Sequence, residues 1–276
     1  MYPECMERLR ILVVDDEPRI VDGLQRVLRP MRDRVEVLTA TAGEAALDLM
    51  ARTPVHTVMS DMRMPGMDGA TLLDRVADQH PDTTRIILSG QCDVATVCRC
   101  VGATHRFLSK PCDPGVLKAT IDDLVSARAA GPGPVVRAAL CRLRAVPAGP
   151  DLEPFRAAVD GGDPAAAAQA AARDPGIALR LLQLVGTWFF GPPRPVCDPA
   201  VAVRSLGVDL LRPLLAAGAF PGGGPDPRPA DGPAALLAQA AAAAGITGPG
   251  AAPALLRLWG VHPRLVEAVE ALCVPA

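Results

Sequence analysis

Four short apolar runs in this chain each end on a residue able to handle a phosphoryl group. Ile11-Leu12-Val13-Val14 ends in Asp15-Asp16, Val55 to Ser60 ends in Asp61, Ile86-Ile87-Leu88 ends in Ser89, and Phe107-Leu108-Ser109 ends in Lys110. Buried parallel strands read as short apolar runs, and open α/β sheets bind ligands beyond the carboxyl ends of their strands. Laid side by side, the runs bring three carboxylates, a hydroxyl and an ammonium to one rim.

The first 128 residues alternate between two periodicities. Strand-like runs fall near 9–14, 35–39, 55–60, 84–88 and 105–109, and helix-like stretches near 18–29, 43–52, 69–79, 92–101 and 114–128. Thr41 or Gly43 opens the second helix, with Glu44 in its first turn, and Pro114 follows Asp113 as a first-turn proline follows its cap. Five such β–α units predict an α/β fold, a doubly wound five-stranded parallel sheet covered on both faces.

After Ala129 the composition shifts. Gly131-Pro132-Gly133-Pro134 reads as a turn or linker. Beyond it the chain is rich in Ala, Leu, Pro and Gly, has no lysine and shows little strand character. Helices are expected at 135–144, 152–160, 163–173, 176–189, 198–206, 208–218, 233–245, 251–259 and 263–272. The resulting division is an α/β domain over 1–128, a linker over 129–137 and an all-α domain over 138–276, with a flexible Gly/Pro segment at 221–233. Trp188-Phe189-Phe190-Gly191 reads as core at a helix end.

The rim carries definite chemistry. Three carboxylates held together repel unless a cation sits among them. Mg²⁺ suits such a place, since it is hard, prefers oxygen ligands and often binds through one or two carboxylates plus substrate phosphate. Asp61 then serves as nucleophile toward phosphorus, giving an aspartyl phosphate. Lys110 neutralises phosphoryl oxygens and Ser89 hydrogen-bonds another. Lys110 is one of only two lysines, with Lys118, against 26 arginines, so its position just after a strand is conspicuous.

Residues 8–128 resemble the receiver domain of two-component response regulators. The resemblance is carried by Val13-Val14-Asp15-Asp16-Glu17-Pro18, Ser60-Asp61-Met62-Arg63-Met64-Pro65-Gly66-Met67-Asp68-Gly69, Leu88-Ser89-Gly90 and Leu108-Ser109-Lys110-Pro111. It implies a flavodoxin-like sheet of order 2-1-3-4-5, with Asp61 as phosphoacceptor. It implies Mg²⁺ on Asp16, Asp61 and the backbone carbonyl of Arg63, with Asp15 assisting through water. It also implies a cis bond before Pro111, and a switch in which Ser89 moves toward the phosphoryl oxygen and Phe107 turns inward. The partner implied is a sensor histidine kinase, with a homodimer through the fourth and fifth helices and fifth strand as a further expectation.

Residues 138–276 resemble the HDOD domain, a helical regulatory relative of HD phosphohydrolases. Leu143 to Pro147, Arg173 to Leu179, Leu181 to Val185, Phe189 to Gly191, Ala202 to Val208 and Leu256 to Pro263 carry this resemblance. Gly186-Thr187 stands where the family has Asn-Ser, and the middle of the domain is shortened. The implied output is binding and signalling through a downstream protein partner, without hydrolysis.

Composition trims the alternatives. The net charge of −2 favours neither nucleic acid nor an anionic membrane, and half the residues are hydrophobic, enough for a real core. The eight cysteines are scattered without a CxxC pair and read as thiols of a reducing compartment. No apolar run reaches the length of a membrane span and the N-terminus lacks a signal-peptide pattern, so a cytoplasmic location is expected. His262 is the only histidine of the C-terminal half, too few for a phosphodiesterase metal centre, so no enzyme activity beyond the receiver's own phosphoryl chemistry is expected. A phosphate sink with a degenerate output domain is the alternative. A DNA-binding regulator is disfavoured, because Arg204 and Arg212 are offset by Asp198 and Asp209.

Overall fold

A computed structural model describes residues 8–90, 94–129, 140–142, 148–149, 151–186, 196–222, 235, 237–239, 242, 251–261, 264 and 266–269. The α/β part runs β1 (Leu9–Val14), α1 (Pro18–Leu28), a 3₁₀ turn (Arg29–Met31), β2 (Val35–Ala40), α2 (Gly43–Met50), β3 (Thr57–Asp61), α3 (Gly69–Gln79), β4 (Thr84–Ser89), α4 (Val94–Cys100), β5 (Arg106–Ser109) and α5 (Pro114–Ala129). The strands form one parallel sheet of order β2-β1-β3-β4-β5. The expected fold class and strand order hold. β3 starts at Thr57 rather than Val55, where the His56 ring Nδ1 takes the Arg10 N–H at 2.9 Å in place of a backbone carbonyl.

The apolar runs alternate between two cores, as the period of a strand requires. Ile11, Val13, Met59, Ile86 and Leu88 face one core, with α5 residues Leu117, Ile121 and Leu124. Leu12, Val14, Val58 and Ile87 face the other, with Leu72, Leu73 and Val76 of α3 and Phe107 of β5.

The helical part comprises α6 (Glu153–Asp160), α7 (Pro164–Ala171), α8 (Pro175–Val185), α9 (Pro199–Leu206), α10 (Val208–Ala216) and α11 (Ala251–Leu258). Short helical pieces at 140–142, 235, 237–239, 242, 264 and 266–269 fall inside three further helices expected from sequence. The linker motif Gly131-Pro132-Gly133-Pro134, the aromatic patch Trp188 to Gly191, most of the 221–233 segment, Cys92 and His262 lie outside the described residues.

Four helices begin on the same dipeptide. Asp113, Asp163, Asp174 and Asp198 precede Pro114, Pro164, Pro175 and Pro199, and each carboxylate accepts a first-turn N–H: Gly115 and Val116, Ala165 and Ala166, Ile177, and Ala200 respectively. Aspartate satisfies orphan donors at the cap, and proline gives up only an N–H that the first turn cannot use. Gly207, at φ +77°, makes the corner between α9 and α10, a conformation that penalises any residue with a Cβ.

α8 is the buried axis of the helical part, with every residue from Pro175 to Val185 buried. α7 packs against α6, α8 and α9, while α10 lies on α4 and α11 on α5. One apolar cluster therefore runs from the sheet through α5 to Phe155, Leu179 and Leu214. Polar contacts accompany it. Arg180 donates to the Val101 carbonyl at 3.2 Å and to Gln183 Oε1, and Gln183 Nε2 donates to the His105 carbonyl at 3.1 Å. The Arg180 guanidinium lies 5.5 Å from the Trp259 ring centroid, and burial pulls its pKa down to about 10. Arg106 donates to the carbonyls of Arg257 and Leu258 at the end of α11 and pairs with Asp123. A cation at a helix C-terminus meets unsatisfied carbonyls and the negative end of the helix dipole.

Candidate functional site

The strand ends place Asp15, Asp61, Ser89 and Lys110 on one rim. Asp15 follows β1, Asp61 closes β3, Ser89 closes β4, and Lys110 follows β5 with its N–H donated to the Ser89 carbonyl at 2.6 Å. The Lys110–Pro111 bond is cis, as the resemblance implies. Gly69 lets α3 approach, because a Cβ there would stand 2.1 Å from the Asp61 carbonyl oxygen. Its own N–H donates to the Met62 carbonyl at 3.0 Å. Asp68 caps α3 through Thr71 N–H at 2.9 Å and pairs with Arg99 of α4 at 2.6 Å. Desolvation pushes the Asp68 carboxyl up, but hydrogen bonds from Thr71 and Arg99 and the Arg99 charge outweigh it and hold its pKa down.

Lys110 is the hub of the rim. Its Nζ donates to Asp15 Oδ2 at 2.6 Å and pairs with Asp61 Oδ1. Asp61 Oδ2 accepts the Arg63 N–H at 2.8 Å, and Asp15 Oδ1 accepts the Glu17 N–H at 3.0 Å. Desolvation alone would pull the Lys110 ammonium down. Hydrogen bonds to Asp15 and Asp61, and their charge, outweigh it and hold the pKa above that of an ordinary lysine.

Two sequence expectations meet a different arrangement. Three carboxylates were expected to converge, yet no cluster of three His, Cys, Asp or Glu side chains suited to a metal exists among the described residues. Lys110 sits between Asp15 and Asp61, and Asp16 is exposed. The donors on the rim are nonetheless all hard oxygens, which fits Mg²⁺, an ion that keeps several waters and needs few protein ligands. Phe107 is already inward, 4% exposed and packed in the cluster of Ile87, Cys100 and Ala103. Ser89 is buried beside the rim.

Some residues that shape the surroundings carried little sequence signal. His105 and Arg85, both about 1% exposed, form a buried network. His105 Nδ1 accepts the Arg85 N–H at 2.9 Å, and the Arg85 guanidinium donates to the carbonyls of Thr83, Ala103 and Cys141. Arginines inside otherwise apolar strand runs, Arg85 and Arg106, were the available clue. They mark where strands meet other protein rather than solvent.

Sheet order, crossover connections and this rim define a receiver. Residues 11–122 match the response regulator receiver domain family model, and this part of the chain is such a domain. Among curated proteins, the hydrogenase transcriptional regulatory protein HoxA of Cupriavidus necator is 34% identical over 120 residues, 43% of this chain and 24% of that protein. The response regulator protein PilR of Pseudomonas aeruginosa is 34% identical over 115 residues, 41% of this chain and 25% of that protein. The chain thus matches about a quarter of the length of these relatives. A solved signal receiver domain of an HD domain-containing protein from Pseudomonas fluorescens Pf-5 is 33% identical and covers 45% of this chain and 99% of that one, with a TM-score of 0.43. No helix among the described residues is long and apolar enough to cross a membrane.

Proposed function

We propose that this chain is a phosphorylation-controlled response regulator whose phosphoacceptor is Asp61. The observation that supports it most is the Lys110 ammonium held between Asp15 and Asp61 at the ends of adjacent strands. A phosphohistidine of a sensor kinase is the donor. An Asp61 carboxylate oxygen attacks phosphorus, an O–P bond forms, the N–P bond breaks, and its electron pair stays on the imidazole. Asp16, Asp61 and the Arg63 carbonyl would hold Mg²⁺, with Asp15 through water; when bound, the ion neutralises charge developing on the phosphoryl oxygens. Lys110 leaves its pairing with Asp61 to take a phosphoryl oxygen, and the Ser89 hydroxyl donates to another. Phe107 is the buried neighbour through which that shift reaches β5. Apart from this phosphoryl chemistry the chain is no enzyme.

In the same reading the chain divides into a receiver over 1–128, a linker over 129–137 and an HDOD-like output domain over 138–276 that signals by protein contact. The three consecutive Asp-capped helices α7, α8 and α9, with their carboxylates turned to their own first turns, favour a binding rather than a hydrolytic role. The test is uptake of label from acetyl phosphate with Mg²⁺. The wild-type chain takes up one phosphoryl group, and Asp61→Asn takes up none. Undiminished labelling of Asp61→Asn sinks the proposal.

A second reading comes from the relatives, HoxA being named a transcriptional regulator. It would make this chain a DNA-binding regulator. α9 and α10 meet at Gly207, the position of the turn in a helix-turn-helix. Here α10 turns Leu211, Leu214 and Leu215 inward, and Arg212 is engaged by Asp209 and by the Val159 carbonyl. A salt-dependent mobility shift of an arbitrary duplex at low salt would favour this reading over a protein partner.

A further inference from the structure

A cleft of about 340 Å³ opens where α6, α7 and the start of α8 meet, and it shares no residue with the rim. One face of α7 supplies a wall. Ala166, Gln169, Ala170 and Arg173 follow the i, i+3, i+4, i+7 spacing that puts side chains on one side of a helix, with Arg173 just past its end. The Arg173 N–H donates to the Ala170 carbonyl at 3.1 Å, which keeps the residue in line with that face. Gly149, Asp151 and Pro154, leading into α6, form another wall, and the buried Phe155 and Ile177 close the floor. The volume is that of a small-molecule site.

The cleft carries charge of both signs, and those charges do not cancel one another. Asp174 is spent, its two oxygens accepting the Ile177 and Gly149 N–H groups at 2.9 and 2.6 Å. Asp151 is exposed and gives Oδ1 to the Glu153 N–H at 3.1 Å, and its Oδ2 has no partner among the described residues. Arg173 and Gln169 are also exposed, and neither side chain makes a hydrogen bond or ion pair among the described residues. Arginines close by do otherwise: Arg156 pairs with Glu153, and Arg212 with Asp160 and Asp209. Arg173 and Asp151 thus line separate walls of one cleft with no ion pair joining them.

We propose that this cleft binds a free α-amino acid with an apolar side chain. A zwitterion matches both open charges at once, its carboxylate on the Arg173 guanidinium and its ammonium on Asp151 Oδ2. The Gln169 amide, donor and acceptor together, serves either end. The apolar side chain lies against Pro154, Ala166 and Ala170, which are exposed or half-buried and so offer surface to it. A plain anion would meet the Asp151 carboxylate, and a plain amine the Arg173 guanidinium, so neither fits as well. The amino acid ties the 149–151 segment to α7 and α8, an input to the helical part separate from Asp61.

The test is calorimetric titration of the full chain with L-leucine, L-valine and L-methionine, each beside its desamino acid and its decarboxylated amine, and with glycine. One amino acid of the series binds saturably at one site, and glycine, which has no apolar side chain, binds more weakly. Its desamino acid and its amine each bind at least about tenfold more weakly, the worth of one charge-assisted hydrogen bond. In Arg173→Gln the amino acid loses its advantage over the amine. In Asp151→Asn, which keeps the oxygen that accepts the Glu153 N–H, it loses its advantage over the desamino acid. Both side chains are exposed, so the fold survives either change. Absence of saturable binding throughout the series overturns the proposal, as does a desamino acid or amine that binds as tightly as its parent, or undiminished binding by Arg173→Gln.

Discussion

Aspartate does different work in the two parts of this chain. In the helical part, Asp163, Asp174 and Asp198 each face the N-terminus of their own helix, and Oδ1 of each accepts backbone N–H groups within three residues. On the rim of the sheet, Asp15 and Asp61 stand at strand ends, and each likewise gives one oxygen to a backbone N–H two residues on, that of Glu17 or Arg63. The other oxygen of each goes to Lys110, which arrives from 95 residues further along for Asp15. A carboxylate turned to its own helix is spent on folding. One whose second oxygen is held by a distant, exchangeable ammonium remains available for chemistry.

The sharpest way to break this comparison is to remove the ammonium. Lys110→Met leaves two carboxylates facing each other, Asp15 almost fully buried. Loss of one partner of such a group costs about 3 kcal/mol of stability in metal-free buffer, read by urea unfolding. Added Mg²⁺ restores part of that in the variant. If Mg²⁺ leaves its stability unchanged, the rim is not a cation site. The pH dependence has a fixed sign. Because the folded Lys110 pKa is raised, its stabilisation is complete below the ordinary lysine value of 10.5 and is lost as the pH rises through the folded value. The gap between wild type and Lys110→Met is therefore flat from neutral pH to about pH 9 and closes in strong alkali.

Caps in the helical part give smaller losses. Asp174 is buried and accepts N–H groups from both Ile177 and Gly149, at 2.9 and 2.6 Å. Asp174→Ala costs about 2 kcal/mol, since it leaves the buried Gly149 donor unpaired as well as removing a cap. Asp163 is exposed and caps only α7, so Asp163→Ala costs about 1 kcal/mol. Neither change alters labelling at Asp61. A loss of labelling in Asp174→Ala with the fold intact would erase the distinction drawn between the two sets. Smallest of all is Asp68→Asn, which keeps the cap but weakens the exposed pair with Arg99, for less than about 1 kcal/mol at neutral pH. The folded Asp68 pKa is lowered, so this contribution is present above the ordinary value of 3.8 and fades as the pH falls through the folded one.

The α/β part was legible because two independent signals coincide in it. Apolar runs marked the strands, and the residue ending each run declared the rim. Asp15, Asp61, Ser89 and Lys110 were all found this way, and the structure brings them together. What sequence could not convey was how many carboxylates would gather, because that depends on where a long lysine side chain comes to rest. The helical part was legible as helices, with α6 to α11 close to their expected ranges, since proline and aspartate punctuate it. Its docking was not legible. Arg180 and Gln183 look like the polar stripe of an exposed helix, yet both are buried against Val101 and His105, more than 70 residues away in sequence. Such pairing leaves no periodic trace in a single sequence.

The apolar cluster that crosses from the sheet through α5 into α8 has a calorimetric consequence. Neither part can open without exposing side chains of the other, so their unfolding is coupled. Heating should give a single endotherm, with equal calorimetric and van't Hoff enthalpies, where two loosely tethered modules would give two.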